Sequence, residues 1–438
     1  MQTRSKTRKA VAENPLVSDS LPDDTLVGIQ TRSRKRKAVE NTLANLPHHI
    51  IIDILLRLPA EYVFRCQRAS KLLEILATTP FYIRTHRARH TTSIIALQSF
   101  SQSSDREFKF YFTDEQAQKV EEAKLKLDFF YTQKNDPVML YDSYDGFLLF
   151  NNRKFTERSI FVIWNPTTDE QVTITMEGTY FMACGFYFNP HNKEYEVLLL
   201  HRDFKGGNAG KYAFHILSFG SKLQRKIILR RNIGRHMYVP RTERPPVIIN
   251  GILYWMADKI YSDVVPNCSN LIMAFEIGTN KFSTMQHGGA SCDDPAGGIY
   301  GYKKHNGMHL IEMEGQLGLY LLLDYDAKLL IWVLNPTTNS WVITHTVVLP
   351  NHSMPKYFSC EPNSLNVEVV KMKDGKLLIR QMDRLLLCDL DLNTHGMVDK
   401  KGFEGDNFQP VIHTHSLVSL NADKFIQLHS GRDHIFVD

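Results

Sequence analysis

Few side chains in this chain are spaced for chemistry. His86 and His90 stand four apart and would share one face of a helix, as two metal ligands do, but no carboxylate lies at the spacing that would complete a site. His413 and His415 alternate across a strand and would share one face, which reads first as a core or edge position. Asp389 and Asp391 would also share a strand face, and the run Asp389–Thr394 reads as a strand passing into a turn. Cys184 has no basic neighbour to favour a thiolate and reads as buried core. The sequence holds no P-loop, dinucleotide fingerprint, H-E-x-x-H or G-x-S-x-G. Its six cysteines (Cys66, Cys184, Cys268, Cys292, Cys360 and Cys388) form no C-x-x-C pair and no zinc-finger spacing, so scattered thiols in a reducing compartment are expected. No catalytic residue, cofactor or metal is expected, and the chain is read as a non-enzyme.

The chain has 438 residues, 43% of them apolar and 23% charged, enough for two or three units with a sizeable core. No apolar run approaches the roughly 18 residues that span a bilayer, and the basic N-terminus lacks the apolar block of a secretory signal. Residues 1–45 hold nine of the 52 Lys and Arg and five of the 47 acids, so most of the net charge of +5 sits in this tail. The nearly neutral remainder offers no general attraction for nucleic acid, which is therefore not an expected partner. The tail repeats itself: Gln2-Thr-Arg-Ser5 recurs as Gln30-Thr-Arg-Ser33, and Lys9-Ala-Val11 as Lys37-Ala-Val39. The run Arg32, Arg34, Lys35, Arg36 and Lys37 is a candidate nuclear import signal, with a solvated tail as the plain alternative. The expected location is nucleus or cytoplasm.

Residues 46–90 have helical periodicity. Ile51, Ile54, Leu55 and Leu58 follow the i, i+3, i+4, i+7 rule, Pro47 suits a first turn, and Pro59 is a stop. Further short helices are expected across Glu61–Ala69, through Leu72–Leu76, and from Pro80 to His86. A packet of about 40 residues seldom folds unaided. No disulfide or zinc site is available, since Cys66 is its sole cysteine. One face is expected to dock on another protein; packing on the following domain is the alternative.

The phrase Leu46-Pro-His-His-Ile-Ile-Ile-Asp-Ile-Leu-Leu-Arg-Leu-Pro59, followed by Val63, Arg65-Cys66, Ser70-Lys71, Pro80-Phe81 and His86, resembles an F-box. The resemblance implies docking on a Skp-type adaptor and, through it, on cullin and RING subunits of a ubiquitin ligase. By position, the adaptor-binding residues would be Leu46, Pro47, Ile50, Ile51, Ile54, Leu55, Leu58, Pro59, Val63 and Cys66. The chain departs from the family at His49, Glu61 and Leu73, where an acid, a base and a Trp are usual. Ser20–Ile29 resembles a truncated remnant of a second copy.

Beyond residue 91 short β-rich runs take over, apart from Thr113–Phe130, where a surface helix is expected. Ile160–Trp164 reads as a strand buried on both faces, and Val172–Met176, alternating with Thr173 and Thr175, as a half-exposed one. A phrase recurs in which a Gly turn leads an apolar strand and a later strand ends in a polar turn. Examples are Asp145-Gly146 with Asn165-Pro-Thr-Thr168, Asn250-Gly251 with Thr279-Asn280, Glu314-Gly315 with Asn335-Pro-Thr-Thr338, and Asp374-Gly375 with Asn393-Thr394. Units of 40–60 residues with about four strands have the period of a β-propeller. Five units are expected over residues 137–400. Strands at 92–112, with 414–420 and 424–428, would form a sixth that closes the ring. A β-sandwich pair is the alternative.

Ser143-Tyr-Asp-Gly-Phe-Leu148, Ile163-Trp-Asn-Pro-Thr-Thr168, Cys184-Gly-Phe-Tyr-Phe-Asn189 and His415-Ser-Leu-Val-Ser419 are similar to plant F-box-associated, kelch-like domains. The expected architecture is therefore α+β multidomain: a basic tail (1–45), a small helical F-box (46–90), and an all-β propeller-like domain of about six blades (91–438). The expected function is substrate recognition for an SCF-type ligase. Target contacts are sought in Lys205–Lys211, Arg230–Arg244 and His287–Tyr302. Two other readings are a nuclear nucleic-acid-associated protein using the tail, and a glycan-binding or glycan-processing propeller.

Overall fold

The computed structural model describes residues 45–89, 94–99, 107–113, 120–126, 138–152, 158–177, 180–203, 211–220, 224–232, 238–259, 271–288, 307–323, 328–349, 367–373, 375–381, 384–391, 394–398, 408–420, 425–429 and 435–437. It consists of four short helices followed by a six-bladed β-propeller.

The helices are α1 (His48–Leu55), α2 (Ala60–Ala69), α3 (Lys71–Ala77) and α4 (Pro80–Arg89). Pro47 and Pro59 sit at the N-caps of α1 and α2, where a missing N–H costs nothing. The last turn before Pro59 tightens, with Arg57 and Leu58 N–H bonded three residues back.

Three strands follow: β1 (Ile94–Ser99), β2 (Glu107–Thr113) and β3 (Val120–Lys126). Blade 1 is β4 (Val138–Tyr144), β5 (Phe147–Asn152), β6 (Arg158–Asn165) and β7 (Glu170–Glu177). Blade 2 is β8 (Tyr180–Asn189), β9 (Glu194–Asp203), β10 (Lys211–Phe219) and β11 (Gln224–Asn232). In blade 3 the inner position is shared by β12 (Tyr238–Pro240) and β13 (Val247–Ile249), both paired with β14 (Ile252–Lys259), which leads to β15 (Leu271–Glu276) and β16 (Lys281–Gln286). Blade 4 is β17 (Met308–Met313), β18 (Gln316–Leu323), β19 (Lys328–Asn335) and β20 (Ser340–Val348). Blade 5 is β21 (Val367–Lys373), β22 (Lys376–Gln381), β23 (Arg384–Asp389) and β24 (Thr394–Val398). The ring closes when β25 (Phe408–His413) pairs antiparallel with β1, so blade 6 joins the two ends of the propeller.

Six apolar cores alternate with the blades. Phe110, Trp164 and their neighbours fill the space between blades 6 and 1, and Phe147, Ile174 and Phe186 that between 1 and 2. Tyr187, Trp255 and Phe275 lie between 2 and 3, and Met256, Leu319 and Trp332 between 3 and 4. Ile331, Val369 and Ile379 pack between 4 and 5, and Ile95, Leu378 and Leu385 between 5 and 6. The hairpin turns show why the Gly phrase recurs. Asp145-Gly146, Asn250-Gly251 and Glu314-Gly315 all have positive φ at both residues, the conformation that a two-residue turn between twisted strands requires.

Three expectations are corrected. Within Thr113–Phe130 the described part is strand β3, paired with β2 from Glu107↔Lys126 to Thr113↔Val120; this non-local pairing overrides the helical preference of its Glu and Lys residues. Thr173 and Thr175 are buried, because a blade has a neighbour on each face. Residues 414–420 are not a strand of blade 6, whose inner strand is β25. The next strand, β26 (Phe425–His429), instead adds in parallel to β7 of blade 1 and carries β27 (Ile435–Val437).

Candidate docking face and its mount

The sequence of α1 gives it two apolar faces. Ile51 and Leu55 turn inward with Val63, Leu73, Leu76 and Tyr82 to form the core of the helical block, and Ile51 is only 2% exposed. Ile50 and Ile54, one turn apart, point away from that core at 41% and 50% exposure, in line with Leu46 at 38%. Pro47 and Pro59 are also exposed, while Leu58 and Cys66 are half-buried. Of the ten residues singled out by position, Leu46, Pro47, Ile50, Ile54 and Pro59 thus face solvent, and Ile51, Leu55 and Val63 support them from within.

Sequence reasoning missed Tyr62, Ile75 and Phe81 among the outward apolar side chains; Phe81 is the most exposed of them at 63%. Their signal was present in Ile75 and Phe81 as large apolar residues of short helices, but α3 is too short for a period to assign its faces. Leu73, at the position where the family usually has Trp, is buried in the block's own core.

The block is mounted on the propeller through a strap, residues 414–420, that crosses the turn end of blade 1. The Asn165 side-chain amide donates to the carbonyls of Ser416 and Val418 at 3.0 and 2.9 Å. Glu170 accepts from the Ser419 hydroxyl and the Leu420 N–H, both at 3.0 Å. Leu417 projects the other way into the helical core. His415 bridges the two units, with Nδ1 against the Thr167 hydroxyl at 3.1 Å and Nε2 against Glu61 at 2.9 Å. Glu61, which departs from the family pattern, therefore holds the helices to the strap. A second tie joins Arg87 of α4 to Asp145 in the first blade 1 turn at 2.8 Å. Tyr195 also donates its hydroxyl to Asp145. Burial raises the Asp145 carboxyl above its usual range, and the Arg87 guanidinium opposes that rise.

The described histidines of the candidate pairs make packing and hydrogen-bond contacts within the chain. His86 Nε2 donates to the Leu58 carbonyl at 2.8 Å, which ties α4 to the end of α1; His90 lies outside the described residues. His413 is buried, its Nδ1 is 3.0 Å from the Ser143 hydroxyl, and burial with the neighbouring His415 lowers its pKa to about 3, so the ring is neutral. Cys184 is buried, and Asp389 accepts the Asp391 N–H at 3.1 Å in a turn exit. Among the described residues no group of three or more His, Cys, Asp or Glu could hold a metal ion, and no helix is long and apolar enough to cross a membrane. The basic run Arg32–Lys37 lies outside the described residues.

Among the described residues, Asp142 on the inner strand β4 is the most perturbed carboxyl. Burial pushes it from the ordinary 3.8 up to about 8, against the Ser143 N–H, which bonds it at 2.8 Å and favours the anion. The folded chain therefore keeps a proton there that the unfolded chain releases above pH 3.8. The stability this contributes is full below that value and is lost as pH rises through about 8. Asp142→Asn is expected to flatten the fall in melting temperature across this window and to melt above wild type at its alkaline end. Parallel pH profiles of the two proteins would disprove the assignment.

Fold and site together define a β-propeller interaction module that carries a helical block with an open apolar face. A model of the F-box associated beta propeller domain matches residues 96–429, and the chain belongs to that family. Similar curated proteins include two F-box proteins of Arabidopsis thaliana. One is 27% identical over 284 residues (58% of this chain, 64% of the relative). The other is 26% identical over 276 residues (62% of each). The chain spans about 60–66% of the length of further curated relatives that it matches. Among solved structures, TolB of Acinetobacter baumannii is 10% identical with a TM-score of 0.39, covering 78% of this chain and 73% of that one. The periplasmic gluconolactonase of Pseudomonas aeruginosa is 11% identical with a TM-score of 0.36, covering 73% of this chain and 99% of that one. These structural likenesses are too distant to bear on function.

Proposed function

We propose that the protein is the substrate-recognition subunit of an SCF-type cullin–RING ubiquitin ligase. In this reading a basic tail (1–45) precedes an F-box (46–90) that docks on a Skp-type adaptor, and the propeller (91–438) binds a protein target. The observation that carries it is the outward stripe Leu46, Ile50 and Ile54 on a block whose opposite face is already committed to its own core and to Leu417. A monomer gains nothing by exposing such a stripe, whereas a partner that covers it gains roughly 25 cal/mol per Å² of apolar surface removed from water, less the costs of association. The names of the Arabidopsis relatives, which call them F-box proteins, support the same reading.

The chain itself performs no chemistry in this scheme. Ubiquitin transfer is promoted by proximity, and the strap sets the fixed geometry on which effective concentration depends. The blade hairpins such as Asp145-Gly146 turn toward the helices, so strands β9 and β11 run toward the opposite end of the ring. The end of β9 at Asp203, the start of β10 at Lys211, the end of β11 at Asn232 and the start of β12 at Tyr238 then belong to the end facing away from the adaptor, where a target has room; residues 205–210, 233–237 and 289–302 of the candidate target segments lie outside the described residues. With no cofactor required, the ligase subunits and the target are the only partners invoked. The Arg32, Arg34, Lys35, Arg36 and Lys37 run would direct part of the pool to the nucleus.

Co-expression with a Skp-type adaptor tests the reading. Leu46→Ala with Pro47→Ala is expected to reduce adaptor capture clearly and to leave the main melting transition in place. Undiminished capture by this double variant would count against docking through α1.

A further inference from the structure

Arg244 belongs to blade 3, in the link between β12 and β13, yet it touches three other blades. Its carbonyl accepts the Tyr141 hydroxyl of blade 1 at 3.1 Å. Its Nη1 donates to the Tyr320 hydroxyl of blade 4 at 3.0 Å and to Glu368 of blade 5 at 2.9 Å. A residue within hydrogen-bond reach of blades 1, 4 and 5 from blade 3 stands at the axis of the ring. Glu368 lies on the inner strand β21 and is the register partner of Arg380, which bonds its other oxygen at 3.1–3.2 Å. Both stand at the end of their hairpin away from Gly375, and so at the mouth facing away from the helices.

The two side-chain contacts of Arg244 use the same nitrogen, Nη1; Nε and Nη2 make no hydrogen bond to the described residues. That pair is the fork with which a guanidinium grips a carboxylate or phosphate through two parallel bonds. The side chain is 23% exposed, so it is largely shielded while part of its surface meets solvent. It is also held still: Tyr320 is buried, and its hydroxyl accepts the Val369 N–H at 3.3 Å as well as Arg244. A donor pair fixed before binding spares the ligand the cost of ordering it. Among the described residues the nearby negative charges are Glu368, shared between two guanidiniums, and Glu243, which is exposed and open to screening by salt.

We propose that this axial mouth is an anion-recognition site that takes a carboxylate or phosphate group of the target protein on Nε and Nη2 of Arg244. The inference deepens the reading of the propeller as the target-binding end and rests on it. The ligand chemistry is common to acidic and phosphorylated side chains, and the test separates the two.

The intact chain is titrated with inorganic phosphate, followed by phosphorus NMR line width, and separately with free phosphoserine and free glutamate by calorimetry. Saturable binding in the millimolar range is expected for wild type. Arg244→Lys keeps the charge but lacks the fork, and should weaken binding about tenfold. Tyr320→Phe leaves the guanidinium less constrained and should weaken it a few-fold, which keeps the test decisive should the lysine variant fold poorly. Tighter binding of phosphoserine than glutamate identifies a phosphorylated target, and the reverse order an acidic one. Absence of saturable binding to wild type, or equal binding by wild type and both variants, overturns the site. Adaptor capture is scored in the same preparations. Its loss with phosphate binding intact would fault the docking reading alone, and the converse result would fault this site alone.

Discussion

Replacing both Ile50 and Ile54 with Asp is expected to reduce affinity for a Skp-type adaptor by more than about 100-fold while leaving the propeller's melting transition unchanged. The two side chains are 41% and 50% exposed in the free chain, so the substitutions create no cavity and expose charge only to water. In a complex the same positions would be covered, and each carboxylate would lose its hydration without gaining a cation. A desolvated, unpaired charge costs several kcal/mol, more than the loss of an apolar contact alone. Ile51→Asp should behave differently: Ile51 is 2% exposed in the helical core, and a charge there would unfold the block itself. Calorimetry for affinity with circular dichroism for folding separates the two outcomes. Wild-type affinity in the Ile50→Asp, Ile54→Asp variant would remove α1 from the interface.

The second large effect concerns the mount. A Cβ on Gly146 would stand 2.2 Å from the Ser416 Cβ and 3.1 Å from its backbone N and Cα, at a φ of +89°. The strap has no flexible side-chain end to yield there, so Gly146→Ala must push backbone apart. A loss of about 3 kcal/mol or more is expected, together with faster proteolysis of the helices, because the strap carries both Leu417 and the His415–Glu61 contact. Gly251→Ala is the internal control. It has a similar φ of +76° but nothing within 4 Å of the added carbon, so only backbone strain of about 1 kcal/mol is expected. Equal stability losses in the two variants, read from denaturant midpoints, would show that the strap does not bear on blade 1 as described.

The recurrence of these glycines also shows how much of the fold could be read without coordinates. Asp145-Gly146, Asn250-Gly251 and Glu314-Gly315 need positive φ at two successive residues, a local demand that few residue types meet, so the sequence marks each such hairpin directly. The stretch Ile160–Trp164 is buried throughout, as its unbroken apolar run implied. Strand β3 was misread because Glu121, Glu122 and Lys124 favour a helix locally, while β2, its partner, outweighs that preference once it lies alongside. The strap was misread for a related reason. Nothing in residues 414–420 reveals that Asn165, some 250 positions away, supplies the amide that holds their carbonyls.

The candidate docking face divides in the same manner. Its apolar residues were legible from their periodicity, but Ile50, Ile54, Ile51 and Leu55 form one continuous apolar arc of about 140° on α1, and an arc that broad does not announce which part of it is buried. Arg244 closes one of the segments singled out for target contacts, but the sequence gave no sign of its partners Tyr141, Tyr320 and Glu368, which lie 103, 76 and 124 positions away.

Periods, turn chemistry and apolar supply are set by neighbouring residues, and they sufficed to fix a short helical block ahead of a ring of four-stranded repeats. The choice of outward face on α1, the strand that closes the ring, the route of the strap and the gathering of Arg244 with three other blades were settled only by tertiary structure. Each depends on the free energy of bringing distant segments together, which no local stretch of sequence contains.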